Sequence, residues 1–124
     1  MIRKRSLFVV LSVALLCGAT AAWSLPPTAC FSITQNSCSN FDFDASCSTD
    51  DNGISFYTWY FDSWPSNSSQ TITKATGQSI NQSFASGFVQ VTLLVRDAAW
   101  AGGQGDVTTA CIAPCCVGPC GSCQ

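Results

Sequence analysis

The residues best equipped for chemistry gather in one stretch, FDASCSTDDNGISFYTWYFDSWP (residues 43–65), which holds four of the chain's seven acidic residues. Asp50, Asp51 and Asn52 stand in a row before Gly53. Carboxylate and amide oxygens at that density are what a calcium ion takes as ligands. The same residue types also close turns through their own backbone, with the glycine supplying a positive φ. Two tryptophans form a second set: Trp64 beside Pro65, and Trp100 ahead of a Gly-Gly turn. An exposed loop tryptophan stacks on a sugar ring or anchors a protein partner. A buried one covers the end of a hydrophobic core. The third set is the tail CIAPCCVGPCGSCQ (residues 111–124), whose Cys120 and Cys123 have C-x-x-C spacing. That spacing suits a metal knuckle or a redox pair in a reducing compartment, and a disulfide knot in an exported protein.

Catalysis lacks its usual parts. The chain has no His and no Glu, and beyond the basic head Lys74 is the single lysine. General acid–base and nucleophilic chemistry at neutral pH rest on such groups. A carboxylate pair of the glycosidase type needs two acids across a cleft, whereas Asp50 and Asp51 are adjacent in one loop. The expectation is a protein that is not an enzyme.

The head MIRKR, the apolar run from Ser6 to Leu16 and the small residues GATAA (residues 18–22) form a secretory signal pattern. The apolar run is short against the ~20 residues of a spanning helix, so residues 1–22 are expected to be cleaved and to leave no stable membrane span. Cys17 follows Leu16 rather than a small residue, so it does not make a good lipidation site. Cleavage removes Arg3, Lys4 and Arg5, leaving Lys74 and Arg96 against seven aspartates. An acidic chain of that balance disfavours nucleic acid and anionic membrane surfaces as partners. Eight cysteines remain, an even set: Cys30, Cys38, Cys47, Cys111, Cys115, Cys116, Cys120 and Cys123. Export and even pairing predict disulfides and a secreted, extracellular or periplasmic location. Asn67-Ser-Ser and Asn81-Gln-Ser fit the glycosylation sequon of a eukaryotic secretory route.

The elements that must hold these residues are strands. Residues 23–28 read as an extended leader with Pro26 and Pro27. Residues 41–45 alternate Phe-Asp-Phe-Asp, the period of a half-buried strand. Residues 54–61 are an aromatic strand, with Ile54, Phe56, Thr58 and Tyr60 on one face and Ser55, Tyr57, Trp59 and Phe61 on the other. Further strands are predicted over 29–34, 71–74, 79–84, 88–96 and 106–112, separated by Ser/Asn/Gly/Pro turns. Residues 113–124 form the Cys-rich tail. Short strands with regular turn signals predict an all-β antiparallel sandwich spanning residues 29–112.

The same residues resemble a known family. FDASCSTDDNG (residues 43–53) is similar to the F-D-A-S-x-S-x-D-x-D-G loop of the PKD (polycystic kidney disease) domain. ISFYTW (residues 54–59) looks like its I-x-x-Y-x-W strand, and FASG with VTLLVRD (residues 84–87 and 91–97) like its Y-x-x-x-G-x-Y-x-V-T-L-x-V-x-D segment. The resemblance departs after Trp59. The family continues Trp-Asp-Phe-Gly-Asp-Gly, while this chain has Trp59-Tyr-Phe-Asp-Ser-Trp-Pro65. It implies an immunoglobulin-like sandwich of about seven strands with Trp59 in the core. It would add Asp97 to Asp50, Asp51 and Asn52 as a candidate calcium set, calcium being the one cofactor in view. It also implies a pairing of Cys30 with Cys47 and Cys38 with Cys111, leaving Cys115, Cys116, Cys120 and Cys123 to pair among themselves. PKD-like modules serve in adhesion and binding. The expected function is a secreted, non-enzymatic module that binds protein or polysaccharide at the cell surface. The alternative is a structural protein of an envelope or matrix, cross-linked by its cysteines.

Overall fold

The computed structural model describes residues 25–65, 69–98 and 105–115. The expected signal sequence, Trp100, Asn67, Cys116, Cys120 and Cys123 lie outside the described residues. Seven strands follow one another: β1 (Ser32–Gln35), β2 (Asn40–Asp44), β3 (Ile54–Pro65), β4 (Thr71–Thr76), β5 (Ser79–Ser83), β6 (Gly87–Asp97) and β7 (Gly105–Ile112). All pairings are antiparallel. They build a three-stranded sheet in the order β1-β2-β5 and a four-stranded sheet in the order β4-β3-β6-β7. The fold is an all-β sandwich. Among the described residues no helix is long and apolar enough to cross a membrane.

Alternation decides what lies between the sheets. β6 buries Val89, Val91, Leu93 and Val95, β3 buries Trp59 and Phe61, and β2 buries Phe41 and Phe43. Phe43 sits at the centre, its ring 5.7 Å from Trp59, 5.2 Å from Phe61 and 6.3 Å from Phe84. Phe31 meets Trp59 edge-on at 5.2 Å. The indole nitrogen of Trp59 donates to the Gly77 carbonyl at 2.8 Å, so the polar atom of this buried side chain has its partner.

β3 differs from the expected strand in two ways. It runs on to Pro65 instead of ending at Phe61. Pro65 has no N–H to give, and it stands at the last position of the pairing, opposite Gly87, where the loss matters least. β3 also carries an irregularity between Ile54 and Phe56, where the register against β6 shifts. Ser55 is the extra residue of this bulge. Ile54 therefore pairs with Asp97 and packs against the core, while Phe56 pairs with Arg96 and is 57% exposed. The two do not share a face, as strict alternation would require.

The disulfides fix both ends of the sandwich. Cys30 is bonded to Cys47. Cys38 is bonded to Cys115, not to Cys111. The correction follows from strand parity. Cys111 lies opposite Gln90 on the exposed side of β7, while Ala110 and Ile112 face inward. Its side chain is turned away from the β1–β2 turn that holds Cys38. Beyond Ile112 the chain turns. Pro114 is fully buried, its carbonyl accepts from Gly87 N at 3.2 Å, and Cys115 N donates to Cys38 O at 2.7 Å. Cys115 thus does not pair within the tail. Cys111 is itself disulfide-bonded.

Candidate functional site

Because Trp59 and Phe61 point inward, their neighbours Thr58, Tyr60, Asp62 and Trp64 point to the outer face of the four-stranded sheet. Phe56, two residues before Thr58, lies on that face too, while the bulge turns Ile54 inward. Three aromatic side chains of one strand, Phe56, Tyr60 and Trp64, therefore recur every fourth residue along the same outward side. Register names their companions. Tyr60 lies between Lys74 of β4 and Thr92 of β6, and Asp62 between Ile72 and Gln90. Thr58 is followed across the sheet by Leu94 and then Val107. The Lys74 ammonium sits 5.8 Å from the centre of the Tyr60 ring, within reach of a cation–π attraction. Trp64 and Phe88 stack on each other at 4.8 Å, 15° from parallel. Ile72 is 66% exposed and Val107 53%. Trp64 is half-buried on a strand, where the sequence suggests a loop. Phe56 and Tyr60 share a face in the sequence pattern, but Trp64 was hidden because the strand was expected to end before it, and the companions because they arrive through pairing with β4 and β6. The cue that could have found Trp64 is the continued alternation Tyr60, Asp62, Trp64.

The acid-rich loop is built for closure. Asp50 Oδ2 accepts from Asn52 N at 2.9 Å, the geometry of an Asx turn, and Gly53 has φ +83°. Asp51 accepts from Leu25 N at 3.2 Å through Oδ2 and from the Asn52 side chain at 3.0 Å through Oδ1. The leader is also tied down by the Thr28–Thr49 bridge. Asp97, 3% exposed, lies at the end of β6 opposite Ile54, just past this loop. Among the described residues no group of three or more His, Cys, Asp or Glu is placed to hold a metal ion. Asp106, which drew no attention in the sequence, accepts from Ala29 N at 2.7 Å and holds the entry to the domain.

The outer face of the three-stranded sheet has the opposite character. Asp42 accepts from Asn36 at 2.7 Å and from Asn81. Asn40 and Asn81 exchange amide hydrogen bonds at 2.8 and 2.9 Å. Asp44 accepts from Ser46 N at 2.9 Å and from the Ser79 hydroxyl at 3.0 Å. Hydrogen bonds from Asn81 and Asn36 hold the Asp42 carboxyl below its ordinary range, and those from Ser46 and Ser79 do the same for Asp44. An open groove of about 430 Å³ runs over this face, lined by Ser32, Thr34, Asp42, Asp44, Ser79 and Asn81. The Asn81 amide, the acceptor of a sequon, is already engaged by Asn40 and Asp42.

Comparison with known proteins adds no relative: family models, curated proteins and solved structures all return no match.

Proposed function

We propose that this chain is a secreted, non-enzymatic, PKD-like binding module that holds a polysaccharide or protein at the cell surface through the outer face of its four-stranded sheet. The observation that carries this is the strip Phe56, Tyr60 and Trp64. At about 3.3 Å per residue, three positions four apart cover about 26 Å of one strand. A line of aromatic faces on a flat sheet suits an extended partner laid along it, with the rings stacking against apolar faces of the ligand. Thr58, Asp62, Gln90 and Thr92 stand between the rings as hydrogen-bonding groups. The exposed Ile72 and Val107 widen the apolar patch, which is the kind of surface that marks interaction sites. The reading asks for no catalytic group and no cofactor. The two disulfides Cys30–Cys47 and Cys38–Cys115 fit an oxidising compartment, and the basic, apolar head of the sequence fits export. Cys115 bonded inside its own domain favours the binding module over the cross-linked matrix protein, since it removes one of the tail cysteines from intermolecular use.

The test is retention of the full secreted chain on a panel of insoluble polysaccharides and immobilised matrix proteins. Tyr60→Ala should leave the circular dichroism unchanged and lower retention on the partner that binds. A chain that binds nothing on the panel, or a Tyr60→Ala variant that binds as well as the parent, overturns the reading.

A further inference from the structure

Cys111 stands on the aromatic face. It pairs with Gln90 of β6, Gln90 with Asp62 of β3, and Asp62 with Ile72 of β4, so the four residues form one row on the outward side of the sheet. The row falls between Tyr60 and Trp64. Cys111 is disulfide-bonded. Its partner is none of the other described cysteines, because Cys30 is bonded to Cys47 and Cys38 to Cys115. Cys17 belongs to the head that is expected to be cleaved. The remaining cysteines are Cys116, Cys120 and Cys123, and all three lie in the tail of residues 116–124. Bonded cysteines have Cα atoms about 4.4–6.8 Å apart. Whichever of the three is the partner, the bond brings the tail to the outer side of β7. Cys115, the residue before the tail, is tied to Cys38 of the β1–β2 turn in the other sheet. The chain therefore leaves the end of the sandwich and is drawn back over the outside of the four-stranded sheet.

From this we infer that the tail is the resident occupant of the Trp64–Phe88 end of the aromatic face, held there by a disulfide from Cys111 to one of its own cysteines. The tether stands apart from the binding role proposed above, and its effect on an outside ligand rests on that role. Distance supports the occupant. Strands are about 4.8 Å apart, with about 3.3 Å per residue along each. Phe88 is one strand over and two residues along from Gln90, about 8 Å from Cys111 between Cα positions by that geometry, and Trp64, one strand further, about 12 Å. Two or three residues on either side of the pinned cysteine span that distance at about 3.3 Å each. Composition supports it too. Trp64 and Phe88 stack into one flat apolar end, while Lys74 and Arg96 pair with Tyr60 and Phe56, toward the other end of the strip. The tail has no charged side chain, and Val117 and Pro119 are its apolar residues beside the cysteines. A proline in extended backbone packs on aromatic surfaces with little entropy left to lose. Closing the bond takes two hydrogens from two thiols, and a disulfide oxidant of the export compartment accepts them by thiol exchange. With the tail in place, the strip open to an outside partner is shorter by its Trp64 end.

The experiment maps the disulfides of the full secreted chain by mass spectrometry without reduction, and reads side-chain exposure by hydroxyl-radical footprinting. The map should join Cys111 to Cys116, Cys120 or Cys123. A free Cys111 thiol, or a bond to a second copy of the chain, overturns the inference. The footprint compares the parent with a variant carrying Cys111→Ser, Cys116→Ser, Cys120→Ser and Cys123→Ser, which keeps both sandwich disulfides and leaves no odd thiol. Oxidation of Trp64 and Phe88 should rise in this variant, while that of the buried Trp59 stays as it was. Val117→Ser with Pro119→Ser, all cysteines kept, should raise Trp64 oxidation as well. Unchanged Trp64 oxidation in both variants overturns the tail as occupant even where the bond is found. A partner that the parent retains should be held more tightly by the four-serine variant, and weaker retention overturns the tail as a cover of the strip. A panel that holds nothing ends the binding role and leaves the map and the footprint to decide the tail.

Discussion

The indole of Trp59 donates to Gly77, touches Phe31 and Phe43, and is fully buried, while the next side chain, Tyr60, faces outward beneath Lys74. Two large aromatics adjacent in sequence thus carry different roles, and substitution should separate them. Trp59→Ala leaves a cavity and should cost about 3–5 kcal/mol, a large part of the stability of a small domain. Tyr60→Ala, on a half-buried face, should cost about 1 kcal/mol or less. Urea midpoints check both, and similar losses would mean that Tyr60 belongs to the core. The outward aspartates set the pH response. In the folded chain the carboxyls of Asp42 and Asp44 are held below the ordinary aspartate range, so their charged forms stabilise the fold. That contribution is complete above the unfolded pKa and is lost as pH falls through the folded one. Melting temperature should hold from neutral pH to about 5 and fall below about 4. In Asp42→Asn the acid decline should be shallower, and an identical decline would show that these carboxylates do not govern it. The alternation Phe-Asp-Phe-Asp made their outward position legible. Their partners were not, because Asn81 and Ser79 arrive through pairing with β5, which no local pattern encodes.

At the scale of the element, β3 shows where periodicity informs and where it misleads. Trp59 and Phe61 inward, Thr58 and Tyr60 outward, follow from alternation and were readable in the sequence. The ends were not. A bulge is one extra residue in a backbone ladder, and nothing in Ile54-Ser-Phe56 distinguishes it from a regular strand. Pro65 and the serines after it read as a loop, although a terminal proline is compatible with a strand. The bulge makes a sharp prediction, since it sends Ile54 and Phe56 to opposite faces. Ile54→Asp places a carboxylate against the core and should destabilise by about 2–3 kcal/mol. Phe56→Asp, at an exposed position, should change stability by about 0.5 kcal/mol. Guanidinium unfolding of both variants gives the answer. Comparable losses would place Phe56 against the core beside Ile54 and take it out of the aromatic strip.

For the whole molecule, an even cysteine count after the head indicated disulfides, but the connectivity depended on which way each cysteine faces. Cys111 sits on the outer side of β7, and the chain needs the turn through Pro114 to bring a cysteine back to Cys38. The consequence is a long closure. Cys38–Cys115 spans 77 residues, from the β1–β2 turn of one sheet to the exit of β7 in the other, whereas Cys30–Cys47 spans 17. Cross-linking lowers the entropy of the unfolded chain more as the loop grows, by about 4.5 kcal/mol for the longer bond and about 3 kcal/mol for the shorter in the chain-entropy model. Replacing both cysteines of each pair by serine avoids leaving a free thiol. The Cys38→Ser/Cys115→Ser protein should therefore melt at a lower temperature than the Cys30→Ser/Cys47→Ser protein. It should also lose protection from hydrogen exchange at the amides of Gly87 and Cys115, which donate to Pro114 and Cys38 across this junction. The outer aromatic face lies on the other side of β3 and β6 from the core, and its strands pair without help from the tail. Ligand retention by the folded variant should persist while its stability falls. Loss of retention at a temperature where the variant is still folded would instead make the docked tail part of the binding surface.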